Sequence, residues 1–153
     1  MSVEPRQSKP LASITKLVEV ACSPERAFDL FTASFGDWWP LTTHSVYGDE
    51  AASVVMGAGI GAAIIETSRS GEQAQWGTVT GWQPGQLLEF SWHPGLPLEE
   101  ATDVRVTFES SSRGTLVTLE HSGWERRRDA DSQRAQYEAG WIPVLDRFVR
   151  QVN

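Results

Sequence analysis

The chain has 153 residues, 40% of them hydrophobic and 22% charged, which are the proportions of one folded globular domain. Its formal charge of −7 speaks against nucleic acid and against an anionic membrane surface, since both need clustered cations. Cys22 is the sole cysteine, which excludes an intrachain disulfide, and no run approaches the roughly 18 apolar residues of a membrane span.

Residues 1–12 are polar, carry Pro5 and Pro10, and lack the apolar stretch of a signal peptide. They read as a flexible arm, and a cytoplasmic location is the expectation. Residues 13–153 read as a single domain. Ser13 to Ala21 alternates Ile14, Lys16, Val18 and Val20 against Thr15, Leu17 and Glu19, as a half-buried strand does. Ser23-Pro24-Glu25-Arg26 is a helix start: a hydroxyl N-cap, proline at the first helical position and an acid in the first turn. Ala27, Phe28, Leu30 and Phe31 supply its apolar stripe. This helix should end near Ser34, with Gly36 opening a turn into Asp37-Trp38-Trp39-Pro40.

Residues 41–52 read as a loop or a short helical turn. Strands are then expected over about 52–56, 62–68, 75–82, 87–92, 102–109 and 115–121, separated by the glycines of 57–61, Ser70-Gly71, Pro84-Gly85, His93–Pro97 and Ser111–Gly114. The triplet Arg126-Arg127-Arg128, flanked by Glu125 and Asp129, is expected in a solvated loop or helix start. From Asp131 to Asn153, the residues Tyr137, Trp141, Val144, Leu145, Phe148 and Val152 recur at spacings that fall on one helical face. Successive hairpins make an antiparallel sheet, and the terminal helix must bury its stripe against it.

This order of elements resembles the START-like superfamily (also called SRPBCC or helix-grip). Within it the chain is similar to the branch named after the C-terminal domain of the activator of the heat-shock protein 90 ATPase. The likeness rests on Val18-Glu19-Val20, Ser23–Phe28, Phe31-Thr32, Phe35–Pro40 with Thr43-His44-Ser45, and Trp76-Gly77. It continues in Pro84–Leu87, Thr118–Trp124, Gly140-Trp141 and Val144–Phe148, covering about residues 13–152. It implies an α+β helix-grip fold: a curved antiparallel sheet of about six to seven strands (β-α-α-β6-α) wrapped around a long C-terminal helix. It also implies a cavity between that helix and the sheet. Superfamily members bind apolar small molecules or catalyse cyclisation and dehydration. The eukaryotic activator has a further N-terminal domain, so a chaperone partner is not expected from the resemblance.

The residues able to carry chemistry are few. His121 shares a strand face with Val117 and Leu119, at the rim of the expected cavity, where it bonds a backbone carbonyl or serves as an acid–base group. His44, beyond the Trp38-Trp39-Pro40 turn, either touches a ligand or caps a turn. His93 is expected to point outward. Glu66 stands among apolar neighbours; facing inward it would be a general acid or base, although the solvent face is the commoner position. Cys22 precedes a helix start, where a thiol can be activated, yet a small buried thiol is the plainer reading. Gly57–Gly61 reads as a hairpin loop, because no helix follows to hold a phosphate. No spacing suits a metal, and no cofactor is expected.

The seven tryptophans are the compositional oddity, and aromatic groups with a few polar ones line small-molecule pockets. The expected ligand-binding set is Trp38, Trp39, His44, Trp92, His121, Tyr137, Trp141 and Leu145. Gly140 and Pro143 within the last helix should kink it and widen the space below. Trp76 and Trp82 share the parity opposite Val79, so one of these sets faces outward and offers apolar surface to a homodimer. The reading is therefore a binding domain for a small apolar or aromatic molecule. The alternatives are a cyclase or dehydratase using His121, His44 or Glu66, and a co-chaperone-like module.

Overall fold

The computed structural model describes residues 11–153, so all but the end of the expected N-terminal arm lies outside the described residues. The chain opens with β1 (Ile14–Val20), then α1 (Pro24–Thr32) and a short α2 (Phe35–Trp38). Six strands follow: β2 (Ala51–Met56), β3 (Ala63–Ser68), β4 (Gln73–Gln83), β5 (Leu87–Trp92), β6 (Thr102–Ser111) and β7 (Gly114–Ser122). The last element is α3 (Ala130–Val152). The seven strands form one antiparallel sheet ordered β1-β7-β6-β5-β4-β3-β2. β1 thus leaves the meander's chain order and pairs with β7, Ile14 opposite His121 and Val20 opposite Thr115. This is the expected helix-grip arrangement.

Local chemistry accounts for the elements. The Ser23 hydroxyl accepts the Arg26 N–H at 3.2 Å and Pro24 occupies the first turn, so α1 starts where its donors are capped. α1 buries Ala27, Phe28 and Phe31 over β6 and β7. Residues 35–38 form a helical turn rather than the open turn expected at Gly36. Gly36 lies so close to β2 that a Cβ there would meet the Val54 carbonyl oxygen at 2.3 Å, so this contact requires glycine. α3 runs without interruption through Gly140 and Pro143, although Pro143 offers no N–H to the Ala139 carbonyl. It buries Trp141, Val144, Leu145 and Phe148, each contributing about 1.5–3 kcal/mol on leaving water. No helix among the described residues is long and apolar enough to cross a membrane.

Two bulges in β4 overturn the simple alternation expected there. The register with β3 slips between Ile64 and Ile65, inserting Trp76, and that with β5 slips between Val79 and Gly81, inserting Thr80. Trp76 and Val79 are consequently both buried, and Trp82 packs edge-on against Phe28 at 4.9 Å. Neither Trp76 nor Val79 faces outward as anticipated for a dimer surface, and Trp82 is half-buried against the core. Gly77 makes the first bulge possible, because a Cβ there would lie 1.7 Å from the Ser91 carbonyl oxygen.

Three polar residues also depart from expectation. His93 is only 9% exposed: its backbone N–H donates to the Trp76 carbonyl at 2.6 Å and its Nδ1 meets the Leu96 carbonyl at 3.1 Å. These two bonds hold the residue against β4 and the turn that follows it rather than in solvent. Glu66 is fully buried rather than solvent-facing, because N–H donors satisfy its carboxylate. Arg127, expected in solvent, is 3% exposed, whereas Arg126 beside it stays outside and pairs with Asp103 at 2.7 Å.

Candidate functional site: an aromatic chamber under the C-terminal helix

A cavity of about 530 Å³ opens between α3 and the sheet. Trp76 of β4 and Trp92 of β5 form its floor. Gln133, Gln136, Tyr137, Gly140, Trp141 and Val144 of α3 form its roof. These roof positions recur at three- and four-residue steps, so one helical stripe covers the space. Trp39 with the segment Thr43–Val46, and Pro94-Gly95 beyond β5, make the sides. Gly140 keeps the chamber open: a Cβ built on it would meet nothing within 4 Å.

The tryptophans meet one another as well as the cavity. Trp39 lies 5.4 Å from Trp76, 5.4 Å from Trp92 and 6.0 Å from Trp141, and Trp76 stands edge-on to Trp92 at 5.4 Å. Every one of these indoles already spends its N–H. Trp39 donates to the His44 carbonyl at 2.7 Å and Trp76 to the Glu66 carboxylate at 3.0 Å. Trp92 donates to the Tyr137 hydroxyl at 3.0 Å, and Trp141 to Nδ1 of His121 at 3.0 Å. The rings therefore present carbon surface to the chamber, and polar recognition falls to other groups.

Behind this wall lies a buried network. His121 is fully buried; its Nδ1 accepts from Trp141, so its Nε2 carries the proton and donates to Thr102 Oγ1 at 2.6 Å. The Thr102 hydroxyl passes its own hydrogen to the Trp92 carbonyl at 3.1 Å. Burial, with the charge of Arg127 adding to it, holds the His121 pKa well below 6.5, so the ring is neutral. Arg127 donates to the carbonyls of Glu100 at 2.7 Å and Trp92 at 2.9 Å, and to Gln133 Oε1 at 2.9 Å.

Glu66 fixes the segment at the side of the chamber. Its Oε1 accepts the Val46 N–H at 2.8 Å as well as the Trp76 indole, and its Oε2 accepts the Tyr47 N–H at 3.1 Å. These three bonds occupy both carboxylate oxygens. His44, on the same segment, is half-buried, and burial lowers its pKa from 6.5; its Nδ1 meets the Thr43 hydroxyl at 2.8 Å.

Of the residues expected at the site, Trp39, His44, Trp92, Tyr137 and Trp141 line the chamber together. Trp38, His121 and Leu145 do not. Trp38 is buried against Phe31, Phe35 and Phe148, with its indole N–H on the Leu30 carbonyl at 3.1 Å. Leu145 lies in the core, and His121 stands one layer back, reached through Trp141. Cys22 is partly buried, and that burial raises its thiol pKa, the reverse of activation. Sequence reasoning missed Trp76, hidden by the bulge, and Gln133 and Gln136. The two glutamines continue the Tyr137–Val144 stripe toward the helix start, a signal present in the spacing.

Comparison with known proteins agrees with this architecture. Protein MLL2253 from Mesorhizobium loti is 15% identical with a TM-score of 0.68, over 90% of this chain and 94% of that one. The Aha1 dimer from Colwellia psychrerythraea is 19% identical with a TM-score of 0.63, over 93% and 96%. Both likenesses concern the fold. An anthrahydroquino-gamma-pyrone synthase, Txn09, solved as a complex, is 27% identical with a TM-score of 0.64, over 92% and 97%. No curated protein matches the chain significantly. The model of one family matches residues 21–153, and the chain therefore belongs to the family described as Activator of Hsp90 ATPase homolog 1-like protein.

Proposed function

We propose that this domain binds a small, largely apolar aromatic molecule in the chamber beneath α3. The observation that carries the reading is the wall itself. Four indole rings surround a space of about 530 Å³, and each has its N–H committed elsewhere. Such a wall favours flat apolar rings, which gain from stacking and edge contacts beyond burial alone. Txn09 is, by its name, the synthase of a compound with fused aromatic rings, which supports the same ligand class here. A screen of aromatic compounds by tryptophan fluorescence and thermal shift tests the reading. Binders should quench or shift the emission and raise the melting temperature, and Gly140→Phe should abolish both effects.

A second reading, acid–base catalysis on the bound molecule, is favoured by His44. It alone among His121, His44 and Glu66 lines the chamber, and burial keeps its ring toward the neutral, proton-accepting form. If turnover of a bound ligand is found, His44→Gln should lower kcat while leaving ligand affinity close to that of the parent. The family name refers to an ATPase activator. Stimulation of a chaperone ATPase that survived Gly140→Phe would assign that role to the outer surface instead.

A further inference from the structure

The chamber's two ends differ in charge. Behind Tyr137 and Gln133 lies Arg127, 3% exposed and in no ion pair among the described residues. Its hydrogen bonds go to neutral oxygens: two backbone carbonyls, the Gln133 amide at 2.9 Å and the Thr102 hydroxyl at 3.3 Å. The guanidinium carbon also stands 5.6 Å from the centroid of the Tyr137 ring. Neutral acceptors offset only part of the cost of taking a cation out of water, and a nearby negative charge would offset more.

Two donor relays lead from this region toward the space. A guanidinium can only donate, so the Gln133 oxygen must be the atom turned to Arg127. The amide N–H groups of Gln133 are then left without an acceptor among the described residues. Tyr137 repeats the pattern: its oxygen accepts from Trp92, and its own hydrogen has no acceptor among the described residues. Both side chains line the chamber. Of the other ionisable groups about the chamber, Glu66 is held by the Val46 and Tyr47 amides and the Trp76 indole, His44 is kept toward neutrality by burial, and neither forms an ion pair with Arg127.

Resting on the aromatic-ligand reading, we infer that the ligand is an aromatic acid whose oxyanion, a carboxylate or phenolate, is received by Tyr137 and Gln133 with Arg127 as the buried counter-charge. The ring lies among the indoles, and the acidic oxygen takes the two unused donors. Charge-assisted bonds to such an oxygen are about twice as strong as neutral ones, so this end selects anions over cations of the same shape.

The test is calorimetric titration of the full chain with three naphthalene probes: naphthoate, the neutral acetonaphthone and naphthylmethylammonium. Naphthoate should bind at least about tenfold more tightly than the cation. Gln133→Glu gives Arg127 a carboxylate partner, so that variant should melt no lower than the parent and lose about tenfold in naphthoate affinity. Tyr137→Phe, which keeps the ring, should weaken naphthoate several-fold and leave the cation unchanged. Equal affinity for all three probes, or naphthoate binding untouched in both variants, overturns the anion inference and leaves the aromatic reading standing. Binding of none of the probes removes both.

Discussion

The indole N–H of Trp141 ends on Nδ1 of His121, 3.0 Å away, and this one bond ties the middle of α3 to β7 while fixing the imidazole's tautomer. Nε2 must then hold the proton, which it gives to Thr102 at 2.6 Å. A ring so occupied has no free nitrogen for catalysis, and it stabilises the fold only while neutral.

That condition makes stability depend on pH. The His121 pKa is pushed well below 6.5, chiefly by burial and further by Arg127, so the unfolded chain takes up a proton more readily than the folded one. The contribution is fully present above about pH 6.5 and is lost as pH falls from there toward the folded-state pKa. Within that window this group alone lowers stability by about 1.4 kcal/mol per pH unit. Urea melts at pH 7 and pH 5 measure it. His121→Gln should reduce the slope, while costing about 1–3 kcal/mol through bonds left imperfectly made.

Gly140 sits mid-helix with no atom within 4 Å of the place a Cβ would take. Alanine there should raise stability by about 1 kcal/mol, because it lowers the backbone entropy lost in the helix without a clash. Thermal denaturation of Gly140→Ala checks this. A loss of stability would mean that the space beside the glycine is already filled.

Glu66 holds the Val46 and Tyr47 amides, at 2.8 and 3.1 Å, beside the chamber. Glu66→Gln keeps the shape but turns a donor toward one of three N–H groups that need an acceptor. The expected cost is about 1.5–3 kcal/mol, the usual worth of a hydrogen bond to a charged group. Hydrogen exchange at Val46 and Tyr47 should quicken before exchange in the sheet does, since the carboxylate anchors that segment in particular.

Cys22 should be a slow nucleophile. Its thiol pKa is raised above 9.0 by burial, only partly countered by Arg26, so little thiolate exists at neutral pH. Iodoacetamide at pH 7.5 should therefore alkylate it more slowly than it alkylates free cysteine. A faster rate would contradict the burial seen here.

Much of this fold is readable from residue order. The α3 stripe follows from its three- and four-residue spacings, and the hairpins from glycine and proline punctuation. What escapes depends on partners distant in sequence. The inserted Trp76 and Thr80 break period two, so no parity count along β4 could face Trp76, Val79 and Trp82 correctly. Arg127 is buried because carbonyls 27 and 35 residues earlier converge on it, which a run of three arginines does not reveal. Glu66 turns inward for donors on a segment some 20 residues away. Tyr137, Trp141 and Trp92 were legible at the site because aromatic groups on an inward stripe have few other places to go. Trp38 and Leu145 follow the same pattern and pack into the core instead.

The most direct measurement is a calorimetric titration of acetonaphthone into the parent chain and into Gly140→Phe. The large side chain enters a space where a Cβ meets nothing within 4 Å, so that variant should fold as the parent does. The predicted result is saturable binding to the parent and none to the variant, with both melting cooperatively. Equal binding to both proteins, or heat of binding from neither, would contradict a ligand chamber under α3.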